Sequence, residues 1–365
     1  MFESVATIPN VILWLTNDSF SSSTISRMKI RLLYEHVDTP MGGLNTFFRN
    51  FHEFASKDSR VELVNDGEVP DVVLTSGSMR SPSDILKNHQ ILNVACGRSL
   101  QSPIGWLTKN RSARVVFRVD GLKQIYAGTS NVKAADDRLI NNIKNADAVV
   151  CQSEYSRRCF VDKGVSLPKN TKVIFNGANT FGHIADPTLL SDSQTLRLVS
   201  SSWSMNDNKG FSTIAEFSCS QQVEVNHVGR WPKNTDPKHV KLLGERHYRE
   251  IPSILKNCHY LLFPSRNEAC PNTVVEALSA GVPVMYHPSG GTIELCADDS
   301  YGIKLPEESL QNENLEHFIS QARDNYTDLA KRLAKYSSKF GFRDCYDKYI
   351  GFLGLCCDSV SPNSK

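Results

Sequence analysis

The residues best placed to do chemistry are Glu268 and Glu276, eight positions apart in the stretch NEACPNTVVEALSAGVPV, Asn267 to Val284. Before them, Tyr260 to Phe263 is an apolar run without alternation, closed by Pro264-Ser265, which reads as a buried strand. After them, Val274, Val275, Ala277 and Leu278 fall at helical spacing, and Gly281 and Pro283 end the pattern. The unit is therefore strand, loop, helix, strand, with Glu268 in the loop and Glu276 on the helix. The helix start near Asn272 and Thr273 offers free backbone N–H groups and the positive end of a dipole, which together attract an anion. Two carboxylates flanking an anion pocket suit a polyol attached to a phosphate, because carboxylates accept hydrogen bonds from hydroxyls. The alternative is an ordinary βαβ unit with a solvated Glu268 and a helix-face Glu276.

The elements that must position these groups follow from length and pattern. A chain of 365 residues is long for one core, so two domains are expected. A hydrophobic fraction of 40% and a charged fraction of 22% are those of a globular protein in water. A net charge of +2 gives no reason to expect nucleic acid. The 10 cysteines are scattered, with no Cys-x-x-Cys and no metal-ligand spacing, as expected of reduced thiols in a cytoplasm-like compartment. Val11 to Leu15 is too short to span a membrane, and Met1 to Asn10 lacks the basic residues of a secretory leader. Cytoplasmic localisation is the expectation. Residues 1–27, with a serine-rich tract, read as an extension of poor order.

Lys29 to Glu35 reads as the first strand, followed by Gly42-Gly43 and then by Leu44, Phe47, Phe48, Phe51 and Phe54 on one helical stripe. A strand, a glycine pair and a helix allow backbone to approach a phosphate or sugar closely. The phenylalanine stripe either packs on the sheet, which is the expectation, or gives a weak peripheral membrane contact. Asp71 to Thr75, Gln90 to Ala95 and Arg114 to Val119 read as buried strands, the last ending at Asp120-Gly121. Ligands of doubly wound sheets sit at the carboxyl ends of strands, which places Arg118 and Asp120 toward a cleft; the alternative is a structural ion pair. Ala146 to Cys151 and Val173 to Phe175 read as strands, with Ser153 capping a helix between them. Thr180 to Gln194 reads as a linker. Beyond it, Leu196 to Ser200, Val223 to Gly229 and Val240 to Gly244 are strands, and Arg249 to Lys256, Asn312 to Ser337 and Asp344 to Leu355 are helices. Lys209-Gly210 follows the first of these strands and Arg230 the second.

The central string resembles the Glu-x7-Glu motif of retaining nucleotide-sugar glycosyltransferases of the GT-B fold, family four (glycosyl transferases group 1). Pro264-Ser265 before Glu268, Glu276-Ala277-Leu278 with Gly281 and Pro283, and Ser289-Gly290-Gly291 with Glu294 fall where that family has them. The resemblance implies an α/β chain of two Rossmann-like doubly wound domains facing across a cleft. It implies an acceptor domain over 28–180, a donor domain over 181–339, a helix over about 340–357 crossing back to the first domain, and a flexible tail over 358–365. It further implies a UDP- or GDP-sugar donor, a glycan or other hydroxyl acceptor, transfer of a hexose with retention, and no cofactor or metal. Glu276 would hold the ribose and Glu268 the transferred sugar. Lys209, Arg230 and the amides of Asn272 and Thr273 would hold the diphosphate, with Gly42 and Gly43 facing the cleft. The family's sugar-contacting histidine is absent from VFRVDG, so Asp120 or Arg118 would substitute, and the arginine that usually precedes Lys209 is absent too. Glu268, Lys209 and Asp120 are the candidate catalytic residues. No Asp-x-Asp triplet occurs in the chain to hold a divalent ion on a diphosphate. The alternatives are a non-catalytic sugar-nucleotide-binding module and a sugar-nucleotide epimerase. The oligomeric state is open.

Overall fold

The computed structural model describes residues 27–34, 42–65, 68–76, 113–126, 132–179, 185–186, 195–306 and 313–358. The extension over 1–26, the expected strand Gln90 to Ala95, most of the linker and the tail beyond 358 lie outside those residues.

Two six-stranded sheets carry the fold, and every described strand pairing is parallel. The first contains β1 (Met28–Leu33), β2 (Val61–Leu63), β3 (Val72–Ser76), β4 (Arg114–Val119), β5 (Ala148–Cys151) and β6 (Asn170–Val173), in the order β2-β1-β3-β4-β5-β6. The second contains β7 (Leu196–Ser202), β8 (Val223–Gly229), β9 (Lys241–Gly244), β10 (Tyr260–Phe263), β11 (Val284–Tyr286) and β12 (Gly302–Lys304), in the order β12-β11-β10-β7-β8-β9. Central strands such as β3, β5 and β10 are buried at every position, which is why they read as unbroken apolar runs. The strand order reverses beside β1 and β3 in one sheet and beside β7 and β10 in the other. Loops at those points part, leaving a crevice at the carboxyl ends of the strands.

The phenylalanine stripe lies on α1 (Gly43–Ala55), and Phe47, Phe48 and Phe51 are buried. They pack on the first sheet and on the last helix, with the Phe47 and Tyr349 rings 5.0 Å apart and the Phe51 and Tyr346 rings 5.2 Å apart. These rings therefore do not form a membrane-facing surface. The last helix, Phe342–Asp358, belongs to the first domain's core, whereas Glu313–Tyr336 buries its apolar face against the second sheet. The chain thus crosses back to its first domain. No helix among the described residues is long and apolar enough to cross a membrane. Val61–Leu63 and Gly302–Lys304 are strands without a counterpart in the sequence reading, and the expected Val173 to Phe175 is instead Asn170–Val173. It is an edge strand, half open to solvent, so Asn170, Thr171 and Lys172 suffice and leave little apolar signal.

Candidate active site

The second sheet's switch point gathers the expected donor-side groups. The loop after β7 ends in a short turn, Asp207–Lys209, and the loop after β10 carries Glu268. The Lys209 ammonium and the Glu268 carboxylate form a hydrogen-bonded ion pair, each side chain 19% exposed. Ser265 donates its hydroxyl to the same carboxylate at 2.9 Å. The Arg266 N–H donates to the Asn208 carbonyl at 2.8 Å and ties the two loops together. The Glu268 backbone is fixed from behind by a third loop. Asn267 is held at φ 59, its N–H donates to Ser289 Oγ at 3.1 Å, and the Gly291 N–H donates to the Glu268 carbonyl at 2.8 Å. A Cβ at Gly290 would lie 2.5 Å from that carbonyl oxygen, and Gly290 itself has φ +70, so only glycine fits.

Glu276 lies on α7 (Asn272–Ser279), counting α2 (Lys123–Tyr126), α3 (Lys133–Lys144), α4 (Glu154–Asp162), α5 (Phe211–Phe217) and α6 (Ile251–Lys256) before it. Pro271 occupies the N-cap position and supplies no side-chain acceptor, so the Asn272 and Thr273 N–H groups at the helix start have no side-chain cap. Glu276 lines an interdomain cavity of about 30 Å³ with Arg49, Tyr248, Asn272 and Asn179 among its walls. Burial pushes the Glu276 carboxyl up to about 7, and only the Arg49 charge, coming from the first domain, works in the opposite direction. The Arg49 guanidinium stacks 3.8 Å over the Tyr248 ring.

Arg230 stands on the rim, donating from Nε to Glu245 at 2.7 Å and lying 4.5 Å over the Trp203 ring. Its backbone is anchored from within. The Arg230 carbonyl accepts from His227 Nε2 at 3.1 Å, which leaves Nδ1 to accept the Ser200 hydroxyl at 2.8 Å. Burial pushes His227 down to about 4, so the ring is neutral.

Across the cleft, Gly42 and Gly43 open α1, and the Asn272 side chain donates to the Gly43 carbonyl at 3.4 Å. Arg118 does not reach the crevice. It is 1% exposed beneath the Phe47 ring, 4.5 Å away, and donates to Asp120 at 2.8 Å and to Asn176 at 2.9 Å. Asp120 stays 34% exposed and also accepts from Gln152. Arg118 thus buttresses Asp120 from behind, while Gly121 faces Ala269 of the Glu268 loop.

Sequence reasoning missed Asn176 as a site residue. This buried amide donates to Gln152 at 2.9 Å, to the Cys270 carbonyl at 2.9 Å and to Asn272 at 2.8 Å, bridging the domains beside the start of α7. Its only sequence signal was its place in a polar Asn-Gly pair after an apolar stretch. Arg49 and Tyr248 were missed as well, since nothing local marks a guanidinium stacked on a ring in the other domain.

The comparison with known families bears on this half of the molecule. Residues 233–340 match the glycosyl transferases group 1 family. The group 1 segment contains both glutamates and the Ser289-Gly290-Gly291 loop; Lys209 precedes it. An uncharacterized glycosyltransferase of Methanocaldococcus jannaschii is 25% identical over 215 residues, 55% of this chain and 57% of its own. The gpi3 subunit of phosphatidylinositol N-acetylglucosaminyltransferase of Schizosaccharomyces pombe is 26% identical over 231 residues, 57% of this chain and 50% of its own. The chain therefore matches about half the length of these curated relatives. Sucrose-phosphate synthase from Thermosynechococcus elongatus superposes with a TM-score of 0.68 at 15% identity, covering 92% of this chain and 100% of that one. Anabaena HepE, solved in complex with UDP and glucose, gives 0.62 at 16% identity, covering 90% and 100%. These likenesses show the fold, which is GT-B.

Proposed function

We propose that this chain is a glycosyltransferase that moves a hexose from a UDP- or GDP-sugar to a hydroxyl of a glycan or other acceptor, with retention and without a metal ion. The observation that carries the reading is the convergence of Lys209, Glu268, Glu276 and the unfilled α7 N-terminus at one switch point, with Gly42, Gly43 and Asp120 opposite. The group 1 match over residues 233–340 and the UDP bound by HepE support the choice of a nucleotide-sugar donor.

In this reading Glu276 receives the two ribose hydroxyls, which its desolvated carboxylate is suited to bind. The diphosphate lies against the Asn272 and Thr273 N–H groups and Lys209, with Arg230 approaching from the rim. Donor binding then places a phosphate where Glu268 now holds the lysine, and frees that carboxylate to accept hydroxyls of the transferred sugar. Asp120 contacts the sugar from the acceptor side. The bond between the anomeric carbon and the diphosphate oxygen breaks, and the acceptor oxygen bonds to that carbon on the same face. The departing diphosphate takes the acceptor proton, so no protein nucleophile is required. Negative charge grows on the leaving group, and donors preorganised there lower the barrier.

A thermal-shift and turnover screen against UDP-, GDP- and ADP-sugars, run beside Glu276→Ala, tests this. One donor should stabilise and be consumed by the wild type and do neither with the variant. Binding without consumption in the presence of varied acceptors would favour a non-catalytic module, and interconversion of the free sugar nucleotide would favour an epimerase.

A further inference from the structure

The first turn of α4, in the acceptor domain, is completed by a residue of the donor domain. An α-helix leaves its first N–H groups without partners inside the helix. Here Ser153 Oγ accepts from the Ser156 N–H at 3.0 Å, and the Ser153 carbonyl accepts from the Arg157 N–H at 3.1 Å. The remaining N–H groups, those of Glu154 and Tyr155, donate to the two carboxylate oxygens of Glu294 at 2.8 and 2.6 Å. That carboxylate is 21% exposed and sits at the positive end of the α4 dipole, with Arg158 4.0 Å away. Glu294 lies on α8 (Thr292–Leu295), one turn beyond Gly290-Gly291, the pair that backs Glu268. Contact is tight throughout: a Cβ on Gly291 would lie 1.9 Å from the Ala269 carbonyl and 2.8 Å from the Ser153 side chain. Tyr155, whose phenol burial pushes up, also feels the Glu268 charge.

We propose that Glu294 is a positioning residue that locks the donor domain onto α4 and, through the Gly290-Gly291 loop, holds Glu268 in register with the acceptor side. The positioning half rests on the transferase reading; the lock does not. A carboxylate of one domain that caps a helix of the other biases the chain toward the state in which the two domains are in contact. With the cleft open, α4 loses both charge-assisted hydrogen bonds and Glu294 loses its partners.

Small-angle scattering of the ligand-free full chain and donor turnover are measured together on Glu294→Ala, Glu154→Pro and Glu154→Ala. Glu154 is the first helical residue and follows an extended Ser153 (φ -159, ψ 165), so proline fits there and deletes one locking N–H without breaking the helix. Glu154→Ala removes the same side chain and keeps the N–H. The lock predicts a larger radius of gyration for Glu294→Ala and Glu154→Pro, and wild-type scattering for Glu154→Ala. It also predicts at least a tenfold loss of kcat for Glu294→Ala, with a smaller loss for Glu154→Pro. Unchanged scattering for Glu294→Ala, or identical behaviour of the two Glu154 variants, would overturn the lock. Expansion with undiminished kcat would overturn the positioning role. An inactive wild type would refute the transferase reading and leave the scattering arm to decide the lock by itself.

Discussion

Glu276 should make this protein less stable as the pH rises. Its carboxyl ordinarily titrates at 4.5 and is pushed up to about 7 by burial in the interdomain cavity. The folded state therefore holds this proton more tightly than the unfolded state does. The stability it contributes is full below 4.5 and is lost as the pH climbs through 7. At about 1.4 kcal/mol for each tenfold in affinity, the gap is worth about 3 kcal/mol, an upper figure because the group keeps partial access to solvent. His227 works in the opposite sense: pushed down to about 4, it withdraws stability as the pH falls from its ordinary 6.5. The wild-type profile mixes the two, so the comparison is with Glu276→Gln, which retains His227. Urea unfolding of both proteins from pH 5 to pH 9 provides the assay. The stability of the variant relative to the wild type should grow by about 2–3 kcal/mol across that range. The same carboxylate should bind a nucleotide sugar best when ionised. Wild-type donor affinity then rises toward neutral pH, with a proton released on binding below 7. The variant, deprived of charge-assisted hydrogen bonds, should bind about 10- to 100-fold more weakly above pH 7, with the gap closing as the pH falls and the wild-type carboxyl takes up its proton. Parallel stability profiles for wild type and variant would show that Glu276 does not titrate with a raised pKa in the folded protein.

Other expectations are as direct. Lys209→Ala should lower kcat by about 10²–10³-fold, the cost of one leaving-group donor, as read from release of nucleoside diphosphate. Gly291→Ala would drive a methyl into the Ala269 carbonyl and Ser153, and should lose about 1–3 kcal/mol of stability in urea unfolding along with most turnover. Turnover should survive EDTA; abolition restored by manganese would contradict the proposed mechanism. Arg49→Ala removes the positive charge beside Glu276 and should raise that carboxyl's titration point, moving the rise in donor affinity to higher pH.

What was legible in the sequence was what short stretches determine. Tyr260 to Phe263 is a strand residue for residue, because a central parallel strand needs an unbroken apolar run and its turn formers mark both ends. The phenylalanine stripe found its helix by period alone. Arg118 shows where locality ends. Its place at a strand end pointed to the cleft, yet Asn176, 58 residues away, and Asp120 take its donors while Phe47 covers it. The cross-domain contacts were hidden for the same reason. Arg49 meets Tyr248, and Glu294 meets the N-terminus of α4, only after both sheets have formed and the domains have closed. Strand β6 begins three residues before the expected start because an exposed edge relaxes the apolar demand on which the pattern depends.

The structure of the chain with a nucleotide sugar, or its nucleoside diphosphate, bound would show directly whether this cleft is the donor site. Ribose hydroxyls should lie on the Glu276 carboxylate and the diphosphate within hydrogen-bonding distance of Lys209 Nζ and the Asn272 and Thr273 amides. A nucleotide bound elsewhere, with the Lys209–Glu268 pair intact and Glu276 untouched, would contradict it.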